Sequence, residues 1–262
     1  MALIRNRVQR RPAVSAPTIA GPRPELTDAV VPPAEIARWA ELYDAAGVTQ
    51  TVGRVQDCVL RIAGGDCAGV ILAHGGELAS VGAVDPRAEQ ADQLQLEYDE
   101  GPSVPLGCAH GSVLIPDTVT DQRWPRWSRQ AAGLGLRSVL TVPLGGTSPV
   151  GALTVYAAAP NQFTAGDAAA ALLLATHAAI AIAGVQQLAD LTRAIEARHL
   201  IGQAQGLLME RFSIDGDQAF AVLRRYSQDD NVKLRVVAAR LVATRRLPDG
   251  SADGDHGLPP AG

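Results

Sequence analysis

After Gly166 the chain meets no proline until Pro248, and through that span apolar residues recur at helical spacings. Proline inside a helix removes a hydrogen bond and collides with the turn before it, so a long span without one favours continuous helix. The pattern predicts one long helix that leaves a first domain, crosses a connector at 185–196 and enters a second domain. Ala181, Val185, Leu188, Thr192 and Ile195 alternate at spacings of four and three, the seam of a short coiled coil. Such a seam pairs two copies of the chain, so a homodimer is the expected assembly. A helix packed on its own domain is the alternative for the same residues.

The end of that span divides again. Residues 197–244 read as three short amphipathic helices joined by two tight polar turns. Leu200, Ile201, Ala204, Leu207 and Leu208 form the apolar face of the first, with Gly206 expected to permit close helix approach. Asp215 followed by Gln218 fits a capping box for the second, whose buried positions are read as Ala219, Phe220, Leu223 and Tyr226. Asn231 is read as the cap of the third, where Leu234, Val237, Ala238, Leu241 and Val242 repeat along one face. Three such stripes bury one another and little else, a bundle marginal alone and helped by dimerisation.

The other faces of these helices carry Arg198, Arg211, Arg224, Arg225, Lys233, Arg235 and Arg240. Singly, each is an ordinary solvated helix residue. Together, Arg224, Arg225, Lys233 and Arg235 flank a turn that also holds Ser227, Gln228 and Asn231. Cations mixed with short polar side chains suit phosphates and splayed bases. Residues 25–187 carry 8 basic and 17 acidic groups, whereas 188–246 carry 10 basic and 7 acidic. A positive segment appended to an acidic domain suits a nucleic-acid partner at one end only.

Upstream, the proline-rich 1–33 is expected to be a disordered arm, as is the Gly-, Pro- and Asp-rich tail 248–262. Ile36, Trp39, Ala40 and Tyr43 predict a helix over 34–46, and Thr49 is read as the N-cap of a second that buries Val52, Val55, Val59, Leu60 and Ile62. Apolar runs at 68–72 and 78–81 across Gly75-Gly76 predict a β-hairpin. Asp85-Pro86 opens a helix to Tyr98, a strand follows at 113–115, and residues 123–127 open another helix. Runs at 138–144 and 150–157 predict a second antiparallel pair.

Several function classes are set aside. The most apolar window, 168–185, is half alanine with Thr176 and His177 inside, and no apolar stretch follows the basic start, so neither a membrane span nor a signal peptide is expected. Cys58, Cys67 and Cys108 are irregularly spaced and fit neither a disulfide framework nor a zinc motif. No nucleophile elbow, phosphate-binding Gly-Lys motif or dinucleotide fingerprint occurs. No catalytic residue, metal ligand or cofactor is assigned, and an enzyme is not expected. Asp117 and Asp121 read as loop caps and ion-pair partners rather than an acid pair.

Two resemblances give these segments a family. Ile201-Gly202-Gln203-Ala204-Gln205-Gly206-Leu207-Leu208-Met209-Glu210-Arg211, Ala219-Phe220-x-x-Leu223-Arg224-x-x-Ser227-Gln228 and Asn231-x-Lys233-Leu234-Arg235-x-x-Ala238 resemble the ANTAR domain, an RNA-binding module of bacterial antiterminators, and place it at 197–247. Gly101-Pro102-Ser103-Val104, Asp117-x-x-x-Asp121-x-Arg123-Trp124-Pro125, Arg137-Ser138-Val139-Leu140-x-Val142-Pro143-Leu144, Gly151-Ala152-Leu153-x-Val155-Tyr156 and Phe163-Thr164-x-x-Asp167 resemble a GAF domain of the actinobacterial sensor type over 34–184. The implied fold is an α+β GAF sensor domain, its antiparallel sheet covered by helices, followed by a long helix and an all-α three-helix ANTAR bundle.

The resemblance implies a signal-responsive, cytoplasmic, homodimeric regulator of transcription antitermination that binds hairpin loops in nascent mRNA. The residues it implies for RNA are Arg198, Gln205, Arg211, Arg224, Arg225, Ser227, Asn231, Lys233 and Arg235, with Gln205 standing where the family commonly has Lys. A small-molecule ligand of the sensor is expected at Gly101, Ser103, Cys108 and Trp124; Ser103 occupies the place where members often carry a cysteine. Two other readings stay open at this point: a helix-turn-helix-like DNA-binding regulator, and a dimerisation or signalling adaptor whose RNA surface has decayed.

Overall fold

The structure, a computed structural model, describes residues 31–246 except 75–76, 83, 105–110 and 146–148, and the side chains of His74 and Glu77. Most of the expected arm and all of the expected tail lie outside the described residues. The chain forms two compact units that divide between Gln187 and Leu188.

The first unit opens with α1 (Pro33–Arg38), which passes directly into a 3-10 helix, Trp39–Asp44. Pro33, expected to end the arm, is instead a first-turn proline of α1, where its missing N–H costs nothing. The single helix expected over 34–46 therefore tightens halfway, and the 3-10 turn buries Trp39 and Leu42. α2 (Val48–Ala63) is capped by extended Gly47 and not by Thr49, which falls inside the first turn. Gly64, in the left-handed region at φ 67°, ends it.

Five strands follow, broken by two helices: β1 (Cys67–His74), β2 (Glu77–Ser80), α3 (Pro86–Tyr98), β3 (Val113–Ile115), α4 (Pro125–Gly133), β4 (Ser138–Leu144) and β5 (Gly151–Ala157). They form one antiparallel sheet in the order β2-β1-β5-β4-β3. β4 and β5 are buried at every position because helices cover both faces of the sheet. On one face Val70, Leu72, Leu140, Val142, Leu153 and Val155 pack with Val52, Val55 and Val59 of α2 and with Leu174, Ala178 and Ile182. On the other, Ile115, Val139 and Tyr156 pack with Ala88 and Ala91 of α3 and Trp127 and Ala131 of α4. The Trp127 indole donates to the Ala91 carbonyl at 3.0 Å, fixing α4 on α3.

α5 (Ala165–Phe212) is the long helix that the proline-free span predicts. By length and composition it is apolar enough to cross a membrane, and 56% of its most apolar window is buried inside the protein. A core helix meets the same criterion. Beyond the core contacts, the expected coiled-coil seam is split. Ala181 is buried in the first unit, whereas Leu188 and Ile195 are 66% and 60% exposed and are joined on the surface by Leu191.

The second unit consists of the end of α5, α6 (Gly216–Asp229) and α7 (Leu234–Thr244). Its core is Ala204, Leu208, Ala219, Leu223, Val237, Ala238 and Leu241. Asp215 and Gln218 form the expected capping box, each accepting from the other's backbone N–H. Three sequence expectations need correction. Asn231 does not cap α7: it adopts the left-handed conformation at φ 51° just after α6, and Lys233 is the N-cap residue. Asn tolerates that conformation better than most residues, which accounts for its place in the turn. Gly206 faces open space rather than a neighbouring helix. Phe220, read as core, is 39% exposed.

Candidate nucleic-acid interface and sensor core

In the second unit six of the nine expected RNA residues gather on α6 and at the α6–α7 turn. Arg224 and Arg225 are exposed on one face of α6 together with Asp217, Phe220, Ala221 and Gln228. Arg225 has one loose, solvent-exposed partner, Asp229 at 3.7 Å. Lys233 and Arg235 are exposed at the start of α7, across the α6–α7 turn. That turn is closed by its own residues: the Ser227 hydroxyl donates to the Val232 carbonyl at 2.7 Å, and the Val232 N–H donates to the Ser227 carbonyl at 3.0 Å. Ser227 and Asn231 thus hold the turn's shape, with Arg225 before it loosely paired to Asp229 and with Asp230 ending α6. Among the described residues no carboxylate lies within ion-pair distance of Arg224, Lys233 or Arg235.

The remaining expected residues lie elsewhere. Arg198 is exposed on α5 before the bundle core begins. Arg211 donates to the Arg245 carbonyl at 3.0 Å and lines a groove, about 580 Å³, with Leu207, Phe212, Leu241, Arg245 and Arg246. Arg245 and Arg246 were missed in the sequence because they follow the last apolar repeat of α7. Gln205 is half-buried, and its amide donates to the Gly216 carbonyl at 3.0 Å, tying α5 to the start of α6.

The first unit carries a different arrangement. On the α3 side of the sheet a buried chain of polar groups replaces hydrocarbon. The Tyr156 hydroxyl donates to Asp92 Oδ1 at 2.6 Å, and the Gln95 amide donates to the Tyr156 oxygen at 3.3 Å. The Ser103 N–H donates to Gln95 Oε1 at 2.8 Å, while the Ser103 hydroxyl bonds Thr154 at 3.0 Å and Thr154 bonds Thr141 at 3.1 Å. Two glycines make room. A Cβ on Gly69 of β1 would sit 2.2 Å from Asp92 Oδ2, and one on Gly101, at φ 138°, would sit 2.5 Å from the Gln95 side chain.

Asp92 is wholly buried with no cation against it among the described residues, and burial pushes its carboxyl up to about 7 in spite of the Tyr156 and Ser80 hydroxyls. Burial and the adjacent Asp92 raise the Tyr156 phenol well above its usual value. Burial also pushes the Cys67 thiol, on the same face, up to about 12. A thiol held protonated is a poor nucleophile.

Of the expected ligand residues, Gly101 and Ser103 meet at Gln95. Ser103 is 1% exposed with its hydroxyl already bonded. Trp124 takes no part in that chain; it precedes α4 with the Arg123 guanidinium 5.0 Å from its ring centre. Cys108 lies outside the described residues. Asp117 and Asp121 do what their spacing predicts. Asp117 accepts the Val119 N–H and a bidentate pair from Arg137, whose guanidinium holds its carboxyl at about 2. Asp121 accepts from the Arg123 N–H and side chain, and Arg123 reaches on to the Leu114 carbonyl. Among the described residues no group of His, Cys, Asp and Glu is placed to hold a metal ion.

The family models agree with this division. No curated protein matches the chain. Among solved structures, the bacteriophytochrome RpBphP3 of R. palustris is 13% identical with a TM-score of 0.47, over 67% of this chain and 41% of that one. The free methionine-R-sulfoxide reductase of Neisseria meningitidis is 16% identical with a TM-score of 0.44, over 59% and 89% of the two chains. The GAF domain of the Acinetobacter phosphoenolpyruvate-protein phosphotransferase is 14% identical with a TM-score of 0.43, over 61% and 99%. The family model of the GAF domain matches residues 45–183, and that of the ANTAR domain matches 189–242. The chain belongs to the GAF domain family through its first unit and carries an ANTAR domain in its second.

Proposed function

We propose that this chain is a signal-responsive regulator of transcription antitermination, in which a GAF sensor governs an ANTAR domain acting on hairpin loops of nascent mRNA. The observation that carries the reading is the unpaired cationic surface of the ANTAR unit. Arg224, Lys233 and Arg235 stand exposed with no carboxylate in ion-pair reach among the described residues. Cations mounted on a rigid bundle, without anions to neutralise them, attract phosphate. Both family modules are regulatory rather than catalytic, and the polar chain of the sensor core is spent on internal hydrogen bonds.

Three further elements complete the proposal. Leu188, Leu191 and Ile195 leave an apolar stripe exposed on α5, which supports pairing of two chains along that helix. The sensor takes a small molecule on the side of the sheet where Gly101 and Ser103 lie. The setting is the cytoplasm, where transcripts are made.

The DNA-binding reading is weaker on the geometry of α7. Val237, Ala238 and Leu241 are buried and Leu234 is partly so. A recognition helix needs several side chains free to reach base edges, and this one offers chiefly Arg235 and Arg240. A filter-binding contest between hairpin RNA and duplex DNA of equal length tests the choice. Retention of the hairpin, weakening steeply with salt, is expected; retention of duplex in preference, or of neither at low salt, refutes the proposal.

A further inference from the structure

Phe220 is the side chain that the sequence places in the core and the structure places at the surface. Ala219 and Leu223 are the buried residues of α6, and Phe220, one residue round the helix from Ala219, is turned outward at 39% exposure. A lone exposed apolar side chain is commonplace. Its company is not. Phe220 shares one face of α6 with Arg224, Arg225 and Gln228, and the apolar neighbour among them is a single alanine, Ala221.

We propose that Phe220 is a stacking seat for one unpaired base of the bound RNA, with Arg224 and Arg225 holding that nucleotide's phosphate. The inference rests on the RNA reading above and deepens it. Phe220 and Arg224 are four residues apart, which sets their Cβ atoms about 5–6 Å from each other on the helix surface. A base laid on the ring therefore leaves its phosphate within reach of the guanidinium. Arg225 is held by Asp229 only at 3.7 Å, with both side chains more than 60% exposed, so it turns to a phosphate at little cost.

Acids bound this face of α6 at both ends, Asp217 in the first turn and Asp229 with Asp230 at the C-terminal end, so a phosphate is favoured between them, at Arg224 and Arg225. Gln228, about 12 Å beyond Phe220 by helical rise, places an amide where a base further along the strand would lie. A protein partner is disfavoured by the same inventory: two arginines, an aspartate and a glutamine around one ring make no apolar patch.

The test uses the full chain and a pool of RNAs with two hairpins whose loops are randomised and contain 4-thiouridine. Wild-type protein first enriches loop sequences from the pool. Against that RNA, Phe220→Leu is expected to bind about tenfold or more weakly, and Phe220→Tyr within about threefold of wild type, because a base stacks on an aromatic face and not on leucine. The salt dependence of Phe220→Leu stays as in wild type, whereas Arg224→Gln lowers the salt slope by about one. Photocrosslinking of wild-type protein, which needs no variant to fold, is expected to attach a loop nucleotide to the peptide that contains Phe220.

Equal binding by Phe220→Leu, equal loss in Phe220→Tyr, or crosslinks confined to other peptides overturns the stacking seat while leaving RNA binding in place. Failure of the wild type to enrich any loop over loopless duplex overturns both.

Discussion

The two units manage charge in opposite ways. The GAF unit buries an acid, Asp92, with no base beside it; the ANTAR unit exposes bases, Arg224, Lys233 and Arg235, with no acid beside them, among the described residues in each case. An isolated charge is expensive where water is excluded, so the Asp92 carboxyl is pushed up to about 7 and is bonded by neutral hydroxyls. The same isolation costs little at a surface, where it leaves the cations available to an outside anion. A polar group without a counter-ion therefore carries different meanings in the two places. In the core it specifies geometry; on the rim it specifies a partner.

The sharpest way to break the comparison is to remove the space that Asp92 occupies. Gly69→Ala puts a methyl 2.2 Å from its carboxylate oxygen, between a strand and a helix that cannot separate without opening the sheet's face. The expected loss is about 3 kcal/mol, at the upper end of the overpacking range, read as a lower midpoint in chemical denaturation. A variant as stable as wild type would mean that α3 is free to shift away from β1.

Asp92→Asn sharpens it by removing the proton. The carboxyl keeps its proton to about pH 7 when folded, whereas an unfolded aspartate loses it near 4. Between those values the folded chain holds the extra proton, so this group makes stability fall as pH rises, with the loss complete above about 7. The amide keeps an acceptor for Tyr156 and never ionises. Asp92→Asn is expected to flatten the neutral limb of the stability profile and to raise stability at pH 8 by roughly 1–3 kcal/mol. Asp117 works in the reverse sense: its carboxyl, held at about 2 by Arg137, contributes stability above about 4 that is lost as pH falls through 2. That acid limb is expected to survive in Asp92→Asn, which separates the two groups in a single pH titration of unfolding.

On the exposed side the effects are smaller and fall on binding alone. Lys233→Ala and Arg235→Ala each remove a surface cation without touching the bundle core. Each is expected to weaken hairpin RNA binding several-fold at moderate salt and to lower the salt slope by about one. Melting temperature stays within a degree or so, since surface substitutions of this kind shift stability by about 0.5 kcal/mol or less. Unchanged affinity for both would move the interface off the α6–α7 turn, toward the Arg211, Arg245 and Arg246 groove.

What was legible in the sequence follows the range of the interactions. The strand pairs, the Asp85 and Asp215 caps and the long α5 rest on neighbours within a few residues, and those neighbours are visible in order along the chain. Asp117 and Asp121 were legible for the same reason, through their loop N–H bonds. The buried polar chain was not: Asp92, Ser103 and Thr154 come from a helix, a loop and a strand, and nothing local separates a core Asp from a surface one. Caps failed by two residues, at Thr49 for Gly47 and at Asn231 for Lys233, because neither N-cap residue makes a side-chain capping bond that its type would announce. Phe220 failed by one position of helical phase. The buried face of α6 is decided by Ala219 and Leu223, which leaves the larger neighbour, Phe220, outside it.

The smallest expected effect concerns Gln205, where the ANTAR pattern commonly shows lysine. Its amide is half-buried and donates to the Gly216 carbonyl, so this position serves the junction of α5 and α6. An ammonium is also a donor and has the length to reach the same carbonyl. Gln205→Lys is therefore expected to keep the bond, to leave melting unchanged within error and to alter hairpin affinity by less than about threefold, with a salt slope raised by less than one full contact. A tenfold gain would show that a cation here reaches RNA past the α6 N-terminus. In that event the contrast between a structural interior and a recognising rim would fail at this residue, because one side chain would serve both.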